Sequence, residues 1–135
     1  MQRVLQWFPV AAWAALIFVL SSESEPPQPA TLAGLPGWSS AAHFGLYFVL
    51  GALLYRALLG AGGREPGAGE KTQTAGKNPY LQALAAGALY AASDEVHQYF
   101  VPLRQADPVD WLVDIAGVLV GALAVLAWER RRGKF

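Results

Sequence analysis

The chain contains no cysteine, which excludes disulfide scaffolds and thiolate metal sites. It is also poor in charge: only 15% of its 135 residues are Asp, Glu, Lys or Arg, where a soluble domain carries about a quarter. Acidic and basic residues balance at ten each, so there is no basic excess to suggest nucleic acid as a partner. No HExxH, P-loop or dinucleotide glycine motif is present. The GAGG run at Gly60–Gly63 has neither the preceding strand nor the periodic following helix that phosphate binding needs. The length leaves room for one domain.

What the chain does have is apolar sequence. Hydrophobic residues make up 54%, the mean hydropathy is +0.29, and Gly 14 and Pro 9 are high for a soluble helical protein but usual for membrane helices and their connections. Val4–Leu20 is a seventeen-residue run whose one polar side chain is Gln6. Arg3 before it also gives the run the outline of a signal peptide, although no clear small-residue cleavage site follows. Ser21–Trp38 has four prolines and two glycines and reads as a connection. Ser39–Leu59 is a second run, with Ser39 or Ser40 as a candidate cap. Gly60–Asn78 is polar and glycine-rich, a flexible loop. Pro79 can open a third helix at its first turn. That helix crosses a bilayer only if the Asp94–Gln98 turn stays helical and lined by protein. The last run ends at Trp128 and carries Gly117 and Gly121 as a GxxxG packing pair, while Ala83, Gly87 and Ala91 form a small-residue ridge on the third.

The expected fold is all-α, a bundle of four transmembrane helices over residues 4–21, 39–59, 79–100 and 110–128, in one domain. Basic residues lie at Arg3, in the Gly60–Asn78 loop with Arg56, and in the tail; the other two connections hold only Arg104. With both termini cytoplasmic, every loop satisfies the positive-inside rule. The implied location is the inner membrane, crossed several times. On that topology Glu23, His43, the Asp94–Gln98 turn, Asp110 and Asp114 all fall on the outer side.

The densest polar stretch is Asp94–Asp114, DEVHQYFVPLRQADPVDWLVD. Five carboxylates face one arginine there, and desolvating such charge without a partner is costly. Crowded carboxylates do not all ionise together, so a protonated acid can stand beside an ionised one, as general acid/base chemistry requires. Asp94, Glu95, His97 and Asp114 are the candidate catalytic groups, and His43, Gln98, Arg104 and Asp110 the candidate binding groups. The same residues could hold a hard cation through oxygen, or a transition metal if His43 and His97 converge. A structural role is the alternative throughout: Arg104 paired with Asp107 or Asp110, Asp110 as an N-cap, His43 bonded to a neighbouring helix, Glu23 solvated, and Tyr47 and Tyr90 as packing residues.

These residues resemble the VanZ-like family of small bacterial membrane proteins, named for an accessory glycopeptide-resistance protein. The family signature is matched by Asp94, Glu95, His97, Gln98, Phe100, Val101, Pro102, Arg104, Asp110, Asp114 and Gly117. Further matches are His43-Phe44, Leu50-Gly51 and the pair Ser21-Ser22. The resemblance implies four membrane helices and a place in the cell envelope, without an established reaction. Two positions depart from it. Ser40 stands where many members carry a lysine, and Leu103 where glycine is frequent.

Three functions compete at this stage. The first is an envelope accessory protein that binds a lipid or lipid-linked precursor at an outward polar site, with Arg104 on an anionic head group. The second is a membrane hydrolase or transferase, with His97 or Glu95 as base and Asp94 or Asp114 as acid. The third is a proton- or cation-coupled transporter, which needs polar groups continuing inward where Gln82 is the obvious one. A second copy of the chain or another envelope protein is the candidate protein partner.

Overall fold

The computed structural model describes residues 2–24, 30–32, 35–61, 78–104 and 106–133. Five helices lie in it: α1 (Gln2–Leu5), α2 (Phe8–Ser22), α3 (Trp38–Ala61), α4 (Pro79–Tyr99) and α5 (Pro108–Arg131). The last four form an antiparallel bundle, as expected. Most of the Gly60–Asn78 loop and the middle of the Ser21–Trp38 connection lie outside the described residues.

The first apolar run is broken in two, a departure from the single span expected. Pro9 sits in the first turn of α2; it has no amide to bond back to Leu5, and its ring crowds the carbonyl four residues earlier. The helix therefore stops at Leu5 and restarts at Phe8. Helix starts elsewhere follow local chemistry. The Asn78 side chain accepts from the Tyr80 amide at 3.0 Å ahead of Pro79, which opens α4 as expected. Asp107, not Asp110, caps α5, accepting from the Val109 amide at 2.8 Å ahead of Pro108. α3 starts at Trp38, directly after Gly37 with φ +80°, so neither Ser39 nor Ser40 serves as its cap.

α3 and α5 make the most extensive helix pair. Their backbones touch through glycine: a Cβ on Gly117 would meet the Phe44 carbonyl oxygen at 2.7 Å, and one on Gly51 or Gly121 would overlap the carbonyl of Val118 or Phe48. The GxxxG pair is thus a packing face. Ala83, Gly87 and Ala91 are buried as well, and a Cβ on Gly87 would lie 2.6 Å from Val118 Cγ1. Side-chain donors tie the outer helices to backbone carbonyls of their neighbours: Trp13 Nε1 to Leu46 at 2.9 Å, Tyr90 Oη to Ala14 at 2.6 Å and Trp111 Nε1 to Ala88 at 3.4 Å.

The exterior is apolar. Phe8, Phe18, Phe44, Leu81, Leu89, Val96, Leu112, Leu123 and Trp128 are all exposed, one or more from each of the four bundle helices, a pattern that water would penalise and lipid would not. α3 and α5 are long and apolar enough to cross a bilayer, and only 33% and 28% of their most apolar windows are buried, so they are not the core helices of a soluble protein. α2, with 15 residues, spans only about 22 Å, and α4 carries its charged residues, Asp94 and Glu95, towards one end; neither meets that standard alone. In α4, however, Asp94, Glu95 and Gln98 remain helical and are buried inside the bundle, which is the condition stated for it.

The α4–α5 connection explains a second departure. Val101–Arg104 closes with Arg104 N bonded to Val101 O at 3.2 Å, and Leu103 has φ 67°. Proline second and a left-handed residue third is the pattern of a type II turn, where glycine is favoured. Leucine is strained there by about 1–2 kcal/mol. Leu103→Gly should therefore raise the unfolding midpoint in detergent slightly or leave it unchanged. Leu103→Val, β-branched in the same conformation, should lower it.

Candidate functional site

The polar residues that sequence places at one side do meet at one end of the bundle, where α2 and α4 end and α3 and α5 begin. Two layers can be distinguished. One is His43 on α3, Glu95 on α4 and Asp114 on α5. His43 Nδ1 lies 3.0 Å from Asp114 Oδ1, and Asp114 is 0% exposed. Glu95 Oε2 accepts from the Asp107 amide at 2.9 Å, anchoring the connection to α4. Each of the three offers a ligand-type atom within 4.8 Å of the other two.

Beside this lies Asp94. Its Oδ2 accepts from the Tyr47 hydroxyl at 3.2 Å and from Gln98 Nε2 at 3.2 Å, and Gln98 also reaches Ser21 Oγ at 3.4 Å. Tyr47 is 1% exposed and belongs to the site, where the sequence suggested packing. The available signal was its position one helical turn after His43, on the same face. Ser21 was singled out only through family resemblance. Three buried carboxylate oxygens, Asp94 Oδ1, Glu95 Oε1 and Asp114 Oδ2, have no hydrogen-bond partner among the described residues. No lysine or arginine pairs with them there.

The remaining candidates are placed differently. His97 does not join His43: it faces α2, stacked on Phe18 with ring centroids 4.5 Å apart and bonded to Ser22 Oγ at 2.9 Å. Ser22 already donates to Phe18 O at 2.7 Å, so the His97 bond is filled by its Nε2–H. Asp110 accepts from Ser40 Oγ at 3.3 Å, the position at which relatives are expected to carry lysine. Arg104 pairs with neither Asp107 nor Asp110. Its Nε donates to Glu23 O at 3.0 Å and its Nη2 to Leu20 O at 3.2 Å, closing the open carbonyls at the end of α2 as a basic C-cap. The Glu23 side chain itself is exposed. The turn at Leu103 is what aims Arg104 back at α2.

Between α2 and α3 the structure leaves a cavity of about 280 Å³. The buried Ile17, Ser21, His43, Tyr47 and Asp94 line it, together with the half-buried Leu20, Leu46 and Arg104.

The VanZ/LLP1 family model matches residues 2–129. The chain belongs to the VanZ/LLP1 family. No curated protein and no solved structure matches it. Membership covers all four bundle helices and both layers of the site, and it agrees with the apolar exterior in making the chain a membrane protein of the cell envelope. The link to antibiotic resistance comes with the VanZ family as a whole.

Proposed function

We propose that this VanZ/LLP1 protein is an accessory protein of the inner membrane that binds the anionic head group of an envelope lipid or lipid-linked precursor. All four bundle helices cross the bilayer, both termini are cytoplasmic, and the polar end faces outward. The cavity between α2 and α3 is the observation that carries this reading. At about 280 Å³ it is just under the roughly 300–1,000 Å³ of small-molecule sites, enough for a head group and the first carbons of its chain. Its lining is amphipathic: buried polar side chains, leucine and isoleucine, and one guanidinium. Arg104 uses Nε and Nη2 on the carbonyls of α2. Nη1 has no partner among the described residues and suits a phosphate or carboxylate oxygen.

A short-chain polyprenyl phosphate, with the matching polyprenol as control, tests this in detergent by thermal shift and native mass spectrometry. The phosphate should bind and raise the unfolding midpoint, the alcohol should not, and Arg104→Lys should weaken binding about tenfold by losing the planar fork. Equal shifts from phosphate and alcohol would contradict a head-group site.

A membrane hydrolase or transferase is the second reading, favoured by the 3.0 Å His43–Asp114 bond. A buried carboxylate holds the imidazole by one nitrogen, and the other has no partner among the described residues; that is how a general base is oriented. The group so placed is His43, in place of the His97 or Glu95 expected from sequence. Release of inorganic phosphate from the same probe, abolished by His43→Asn, would move the assignment to this reading.

A further inference from the structure

We infer that His43, Glu95 and Asp114 form a binding site for one divalent transition-metal ion, of the zinc or manganese type. The three residues come from three different helices and are all buried. Glu95 Oε1 and Asp114 Oδ2 are each without a hydrogen-bond partner among the described residues, although carboxylate oxygens shut away from water rarely stay unmatched. Two ionised carboxylates and a neutral imidazole carry two negative charges, which a divalent cation neutralises.

The geometry is close to what an ion needs. The 3.0 Å between His43 Nδ1 and Asp114 Oδ1 is the edge of an octahedron whose centre lies about 2.1 Å from each ligand. In the triangle closed by Glu95 no ligand pair lies beyond 4.8 Å, against about 4.2 Å across an ion with 2.1 Å bonds, so the Glu95 carboxylate moves inward as the ion binds. Glu95 is already fixed by its second oxygen on the Asp107 amide, the kind of outer support that orients a ligating carboxylate. One nitrogen with two carboxylate oxygens favours zinc or manganese over calcium and magnesium, which take oxygen sets. Three protein ligands leave coordination positions open.

The site does not depend on the head-group reading. Arg104 is absent from it, so Arg104→Lys should keep the metal while weakening the polyprenyl phosphate. The test uses full-length protein carrying a tag without histidine, stripped with chelator, then loaded with Mn²⁺ or Zn²⁺ alone. Wild type should bind about one ion per chain, and Glu95→Gln should weaken binding tenfold or more. That variant keeps an oxygen for the Asp107 amide, so its fold is preserved. Bound Mn²⁺ should show coupling to one imidazole nitrogen by pulsed electron paramagnetic resonance, lost in His43→Asn and kept in His97→Asn. Wild type that takes up no ion, or Glu95→Gln that binds as tightly as wild type, overturns the site. So does a nitrogen coupling lost in His97→Asn but retained in His43→Asn.

Discussion

His43→Ala should leave little protein that survives extraction in detergent. Asp114 is fully buried, and His43 Nδ1 is its hydrogen-bond partner. Removing one member of a buried pair strands the other, at a cost of about 3–5 kcal/mol, against a total stability of roughly 5–15 kcal/mol. The pair is less demanding when both members change. His43→Ala combined with Asp114→Leu should recover much of the loss, because an apolar pair of similar volume has no charge to desolvate. Reversible unfolding by titrated denaturing detergent measures both. If the single variant is as stable as wild type, the contact between α3 and α5 at this depth does not hold the bundle. If the double variant is folded, it also supplies a scaffold in which loss of metal or ligand cannot be blamed on loss of structure.

Gly121→Ala should be the most damaging added methyl among the described glycines. A Cβ there overlaps the Phe48 carbonyl oxygen and comes within 2.8 Å of the Phe48 carbonyl carbon and 3.1 Å of the Ala52 amide nitrogen. These are backbone atoms, which cannot rotate aside, so α3 and α5 must separate along their contact. Overpacking of this kind costs about 1–3 kcal/mol, and the upper end is expected. Gly45, on α3 with nothing within 4 Å of its Cβ position, is the control. Gly45→Ala should be neutral or gain up to about 1 kcal/mol, since alanine is the better helix former. Unfolding midpoints of the two variants give opposite signs if the close backbone approach is real, and equal shifts if it is not.

Much of the architecture was legible because membrane helices are written in long apolar runs and small-residue faces. α3 and α5 follow their hydropathy, Pro79 opens α4, and Gly117 with Gly121 marks the closest approach. The break at Gln6 was less visible, since it depends on which register Pro9 takes relative to the helix before it. At the site, sequence gathered the polar residues at one end of the bundle but could not orient them. Side chains on α4 advance by about 100° per residue. Asp94 and Gln98 therefore sit together, while Glu95 and His97 lie at opposite edges of the polar arc. One edge meets α5 and the connection after α4, the other meets α2, and only the packing of neighbours decides which. That is why His97 leaves the cluster and Glu95 stays. The structural alternative for Arg104, an ion pair with Asp107 or Asp110, fails for a related reason. The open carbonyls at the end of α2 are a feature of the fold and leave no mark in the residues around Arg104 itself.

The absence of cysteine from the natural sequence allows the central claim, that the polar end of the bundle opens to the outer side of the membrane, to be tested with single introduced thiols. Leu35→Cys and Leu103→Cys, both exposed at that end, should react with a membrane-impermeant maleimide added to intact cells whose outer barrier is permeable. Ala68→Cys, between α3 and α4 in sequence, should react only after the inner membrane is opened. Labelling of position 103 only after opening, or of positions 35 and 103 from opposite sides, would contradict it.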